Sequence, residues 1–154
     1  MTEDQDLLSA LAKSVFELNG QFLAVGEELA RPSALTASSW LLLSTVLAAG
    51  RTVADIARDV GVARQSAQRT ADLLVAHGNA EYRPNPVHRR AKLLVPTEAG
   101  RAAVRRIAPA HRAYADRLLR EVGREPAVTA LEAMRRLSEA LHRTGLPAMP
   151  GNGR

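Results

Sequence analysis

The chain has 154 residues, with 21 Lys and Arg against 16 Asp and Glu, four His, no Cys and only five aromatic residues. That length suits one domain with a core of Leu, Val and Ala on helices, while the missing thiols exclude disulfides and the scattered histidines offer no metal cluster, so neither metal nor cofactor is expected. No apolar run approaches the roughly 18 residues of a spanning helix, and the acidic opening TEDQD is the opposite of a signal peptide's basic start, so a soluble cytoplasmic protein without membrane association is expected. Charge is unevenly spread: residues 1–30 carry one Lys against six carboxylates, residues 62–92 carry six cations against two. The segment after Lys92 is also Arg-rich, so basicity alone does not locate a nucleic-acid face, and helix patterning has to do so.

Taken in order, Leu8, Leu11, Val15, Leu18, Phe22, Val25 and Leu29 step by three and four, a seam on one long helix ended by Arg31-Pro32. Such a helix is either an ordinary core element or one shared with a second subunit. Thr36 is placed to cap a helix through Trp40, Leu41, Leu43, Val46 and Leu47 that Gly50 closes. Trp40 is a core anchor or the wall of a ligand cavity.

From Ala54 the pattern changes. Ile56, Ala57, Val60, Gly61, Val62 and Ala67 suit two short helices crossing steeply, with Thr52 or Val53 opening the first and Gly61 allowing the turn. The second begins at Arg64 and ends at His77-Gly78. Its apolar side is Ala67, Ala71, Leu74 and Val75, and its outward side, Arg64, Gln65, Ser66, Gln68 and Arg69, is hydrogen-bonding and cationic, which suits base edges and phosphates in a DNA major groove. Strands are expected at 80–83 and 91–95. Between them Pro84-Asn85-Pro86-Val87-His88-Arg89-Arg90 forms a protruding loop with a cationic tip, a wing of the kind whose arginine fits a narrow minor groove, or else a merely solvated hairpin.

Thr97 is positioned to cap a helix carrying Val104, Ile107, His111, Tyr114, Leu118 and Val122, with Pro109 expected to bend it and Arg101, Arg105, Arg106, Arg112, Arg117 and Arg120 forming a solvated face. His111 is a packed or interfacial residue, or part of an effector pocket. Gly123 breaks the helix, Val128, Leu131, Met134, Leu137 and Leu141 line a last one, and 145–154 reads as a flexible tail. No nucleophile with a base, no carboxylate pair and no phosphate-cradling Gly loop appears at a usable spacing, so no enzyme is expected.

IARDVGVARQSAQRTADLLVAHG and RPNPVHRRAKLLVPTEAGRA together resemble the multiple-antibiotic-resistance regulator (MarR) family of bacterial winged-helix proteins, over nearly the whole length. The resemblance implies a mainly α fold, a winged helix-turn-helix at 36–100 with a small β-hairpin wing, and an all-α dimerisation region from 1–31 and 101–144. It also implies a homodimer on a pseudo-palindromic double-stranded operator, a repressor relieved by a small aromatic or anionic effector. On that basis Arg64, Gln65, Gln68 and Arg69 read bases, Ser66 meets phosphate, Arg90 enters the minor groove, and Arg89 and Lys92 hold the backbone. Trp40, His111 and Tyr114 would line the effector pocket. The chain departs from the family pattern at His88, where Asp is usual, at Ala63, where Ser or Thr caps the recognition helix, and at Asn79-Ala80, where an apolar pair is usual and looser wing packing is therefore expected. The competing reading is a winged-helix module that binds protein and not DNA.

Overall fold

A computed structural model describes residues 2–145. The expected tail beyond Gly145 lies outside them. By its internal contacts the chain divides into two compact units, one ending at His111 and one beginning at Arg112.

In the first unit, α1 (Glu3–Ala30) begins five residues before the apolar seam does. Thr2 and Gln5 form a capping box, each side chain accepting from the other's backbone N–H, and Glu3, Asp4 and Asp6 add favourable charge at the positive helix end. A 3-10 turn at Arg31–Ser33 follows. Helix α2 (Ala37–Thr45) is capped by Thr36, as its sequence suggests, but stops well short of Gly50. There the Thr45 hydroxyl donates to the Leu42 carbonyl at 2.7 Å, a local bond that competes with continuation of the ladder. Glu27 holds α1 to α2 by accepting from the Ala37 N–H at 3.0 Å.

Strand β1 (Arg51–Thr52), too short for any alternation to reveal, leads into α3 (Val53–Val60) and α4 (Arg64–Ala76). After them come β2 (Ala80–Arg83) and β3 (Leu93–Pro96), giving a three-stranded antiparallel sheet in the order β1-β3-β2 rather than a lone hairpin. The third strand starts at Leu93, two residues later than expected. Its register sets Arg83 opposite Leu93 and Tyr82 opposite Leu94, so Ala91 and Lys92 fall outside the ladder.

Leu42, Leu43, Val46, Ile56, Ala71, Leu74, Leu94 and Ile107 form the buried centre of this unit. The Asn79-Ala80 pair, from which looser wing packing is expected, is itself tied into the fold. Ala80 is buried, and the Asn79 carbonyl accepts from the Thr97 N–H at 3.1 Å. Helix α5 (Glu98–Val122) starts at that junction and runs through Pro109. Arg101, expected in a solvated face, donates from Nη1 to the Leu47 carbonyl at 2.8 Å and so satisfies an orphan acceptor beyond the end of α2.

The second unit holds the rest of α5 and α6 (Arg124–Thr144), separated by Gly123 at φ 87°, a left-handed value only glycine adopts at little cost. Val128, Leu131, Met134 and Leu141 on α6 are exposed. So are Leu8, Leu11, Val15 and Phe22 on α1 in the first unit. Among the described residues no helix is long and apolar enough to cross a membrane.

Candidate nucleic-acid interface

The helix pair is set by its ends. The Thr52 hydroxyl accepts from the Asp55 N–H at 3.2 Å and donates to Asp55 Oδ2 at 2.9 Å, and with Arg58 it holds the Asp55 carboxyl below its usual range. Gly61, at φ 75°, turns the chain while Gly61 and Val62 both donate to the Ala57 carbonyl. Helix α4 then starts with Ala63 as its N-cap and no side-chain cap bond. Ala67, Ala71 and Leu74 bury one face of α4, leaving Arg64, Gln65, Ser66, Gln68 and Arg69 exposed on the other.

The wing's tip is the segment 84–92. Asn85 Oδ1 accepts from the Val87 N–H at 3.0 Å, and Ala91 N–H donates to the His88 carbonyl at 3.2 Å, two local turns that bring Arg89 and Arg90 to the outside. A cleft of about 340 Å³ between wing and helix pair is lined by Thr52, Arg64, Gln68, Tyr82, Arg90 and Lys92. A second, more open groove of about 540 Å³ has Gln65, Gln68, Arg69 and Asp72 on its wall. The structure therefore gathers Arg64, Gln68, Arg90 and Lys92 at one cleft and Gln65 and Arg69 at the next, with Gln68 common to both. Ser66 and Arg89 are exposed but line neither.

Ion pairing separates two classes of arginine here. Arg51 pairs with Asp59 at 2.6 Å, Arg58 with Asp55 at 2.7 Å and Arg83 with Glu81 at 2.5 Å. Arg64, Arg69, Arg89, Arg90 and Lys92 have no carboxylate partner among the described residues. Their charge is directed at solvent, which makes the surface of α4 and the wing a concentrated source of positive potential.

Two residues that helix patterning does not single out stand at the centre of this surface. Tyr82 on β2 donates from its hydroxyl to Asp72 Oδ1 on α4 at 2.6 Å, and Gln68 Nε2 donates to that same oxygen at 3.0 Å and to Tyr82 Oη at 2.8 Å. Partial burial, then the Asp72 hydrogen bond and charge, push the Tyr82 hydroxyl up to about 12, and the hydroxyl and amide donors hold the Asp72 carboxyl below its usual range. Gln68 and Asp72 stand four apart on α4, a detectable pair, but Tyr82 reaches them only through the sheet.

Trp40 and His111 do meet, ring edge to face at 5.1 Å and 85°. They border a cleft of about 700 Å³ with Phe22, Leu23, Leu41 and Val62, and no Lys or Arg lines it. Tyr114 belongs to the second unit, where the Arg117 guanidinium lies 5.3 Å from its ring centre. Among the described residues no group of three or more His, Cys, Asp or Glu could hold a metal ion.

A family model described as MarR family matches residues 35–91, the span from the approach to α2 through the wing tip. An uncharacterized protein of Mycobacterium tuberculosis is 38% identical over 136 residues, covering 88% of this chain and 95% of its own. Among solved structures, a mutant of MarR from E. coli complexed with operator DNA superposes with a TM-score of 0.75 at 19% identity, covering 89% of this chain and 99% of that one. The transcriptional regulator MosR of M. tuberculosis in complex with DNA gives 0.74 at 22%, covering 88% and 98%. The transcriptional repressor CouR bound to a 23-mer duplex gives 0.73 at 22%, covering 90% and 99%. At those identities the structural likeness establishes the fold, a mainly helical winged helix with a three-stranded antiparallel sheet.

Proposed function

The chain belongs to the MarR family, and on that premise we propose that it is a sequence-specific transcriptional regulator of double-stranded DNA, acting as a homodimer and as a repressor released by a small molecule. What carries the reading is placement: five cations without a carboxylate partner lie together on α4 and the wing, while Arg51, Arg58 and Arg83 on the same helix pair and sheet are each paired. Unpartnered surface charge on a helix-turn-helix is what releases counterions from a duplex.

In this reading α4 lies in the major groove, with Arg64, Gln65, Gln68 and Arg69 at base edges and Ser66 at a phosphate. Arg90 enters the flanking minor groove, and Arg89 and Lys92 hold the backbone. The apolar residues left exposed on α1 and α6 support self-association through 1–31 and 101–144, since a solvent-facing run of this kind marks an interaction surface. Two copies would then read half-sites about 34 Å apart. The Trp40–His111 cleft favours a planar aromatic effector held by its ring, because apolar and aromatic side chains line it and no Lys or Arg does. An effector that prefers one spacing of the two reading helices shifts operator affinity by that preference alone.

The test is operator or random-duplex binding across a salt series. Affinity should fall steeply with salt, and Arg69→Ala with Arg90→Ala should abolish the specific complex. A flat salt response, or an undiminished complex for the double variant, overturns the assignment in favour of a protein-binding module.

A further inference from the structure

The three bonds joining Gln68, Asp72 and Tyr82 fix which end of the Gln68 amide faces the protein. An ionised carboxylate only accepts, so the side of the Gln68 amide turned toward Asp72 is its NH₂. The phenol's single proton goes to Asp72, and its oxygen therefore accepts from Gln68. The Gln68 amide nitrogen is thus engaged by two acceptors within the protein, while its carbonyl Oε1 has no partner among the described residues. A glutamine free to turn matches adenine with two bonds, its oxygen to N6–H and its nitrogen to N7. Here the nitrogen is held against the strand.

We propose that Gln68 is a specificity-determining residue that reads the major groove through its carbonyl oxygen alone, selecting a base with an exocyclic amino group, cytosine or adenine, and that Asp72 and Tyr82 are the positioning residues that impose this one-sided reading. The inference rests on the proposed entry of α4 into the major groove. Guanine O6 and thymine O4 would set oxygen against oxygen, so they are rejected. The phenol, anchored on β2, ties the orientation of a base-reading side chain to the wing.

Selection of bound duplexes from a random pool, followed by binding to the four variants of the base pair facing Gln68, tests this. The wild-type protein should accept cytosine and adenine within about threefold and disfavour guanine and thymine about fivefold or more, the low end of a single good base contact. Tyr82→Phe removes one of the two acceptors that hold the amide nitrogen, so adenine, which offers N7 to that nitrogen, should gain about fivefold or more over cytosine at that position only, with the other positions unchanged. Gln68→Leu should erase the preference there. A wild-type protein that prefers adenine over cytosine tenfold, or a Tyr82→Phe protein with the wild-type preference, overturns the proposal. Absence of any duplex binding by the wild type at low salt overturns the DNA reading and this inference together, whereas specific binding that ignores Gln68→Leu overturns this inference alone.

Discussion

Gly100 lies where α5 leaves the sheet, and a methyl group there has nowhere to go. A Cβ there would overlap the Asn79 carbonyl oxygen and stand 2.9 Å from the carbonyl carbon, both main-chain atoms that cannot rotate aside. Three hydrogen bonds hold the same junction: Thr97 N–H to the Asn79 carbonyl at 3.1 Å, Thr97 hydroxyl to the Gly78 carbonyl at 2.6 Å, and Gly100 N–H to the Thr97 hydroxyl at 3.1 Å. Gly100→Ala must therefore move the backbone, at the about 1–3 kcal/mol of an overpacked site, and stretch bonds each worth about 1 kcal/mol. Against this stands at most about 1 kcal/mol of helix propensity gained by alanine. The net expectation is a loss of about 2–4 kcal/mol, or a melting point lower by roughly 5–15 °C at this chain length. Urea denaturation followed by far-ultraviolet circular dichroism measures it, with Gly20→Ala as the comparison. Gly20 lies inside α1 with nothing within 4 Å of its Cβ position, so that change should stabilise by about 0.5–1 kcal/mol. A Gly100→Ala protein within about 0.5 kcal/mol of wild type, the range of an inconsequential surface change, would refute the packing argument.

Other expectations follow from caps, titration and exposure. Ala63→Ser supplies the missing side-chain acceptor at the start of α4 and should raise stability by about 1 kcal/mol in the same denaturation assay. Tyr82 holds its proton more tightly folded, with a folded value of about 12 against an ordinary value of 10.0. The unfolded chain therefore releases that proton first, and its contribution to stability is intact below pH 10 and lost as pH rises from 10 toward 12. Asp72→Asn should move the tyrosinate absorbance midpoint of Tyr82 downward, and an unmoved midpoint would dissociate the two groups. Val15→Glu with Phe22→Glu, placing charge on exposed apolar positions of α1, should convert a dimer to a monomer by sedimentation without unfolding the winged unit.

Punctuation was the most legible part of this chain. Thr36, Thr52 and Thr97 all bind a backbone N–H three residues on, Gly61 and Gly78 take positive φ, and β2 spans the expected residues. These features depend on one or two residues' own chemistry. What stayed hidden depends on distant partners. Strand β1 exists because Arg51 and Thr52 face Leu94 and Leu93, forty residues away in rough terms of chain path. The start of β3 is set by where Arg83 finds a partner, and Arg101 leaves the solvated face because an unclaimed carbonyl at Leu47 lies within reach. For the candidate site the helix period picked out the exposed side of α4, but which of those side chains are already occupied could not be read from it. Gln68 looked as free as Gln65 until Tyr82, fourteen residues on, is placed beside it.

Because β3 is flanked on both sides, its alignment does not depend on the short connection that joins it to β2. An ordinary two-strand ribbon gets its register from its turn, and changing the turn's length shifts every facing residue. Here the segment 84–92 is relieved of that duty. Lengthening it to twice its span would add only about 0.6 kcal/mol of closure entropy, leaving α4 and its seat untouched. The fingertip can therefore be rewritten by insertion, independently of the rest of the molecule, which on the proposed reading would give this architecture a ready route to new flanking-sequence preferences.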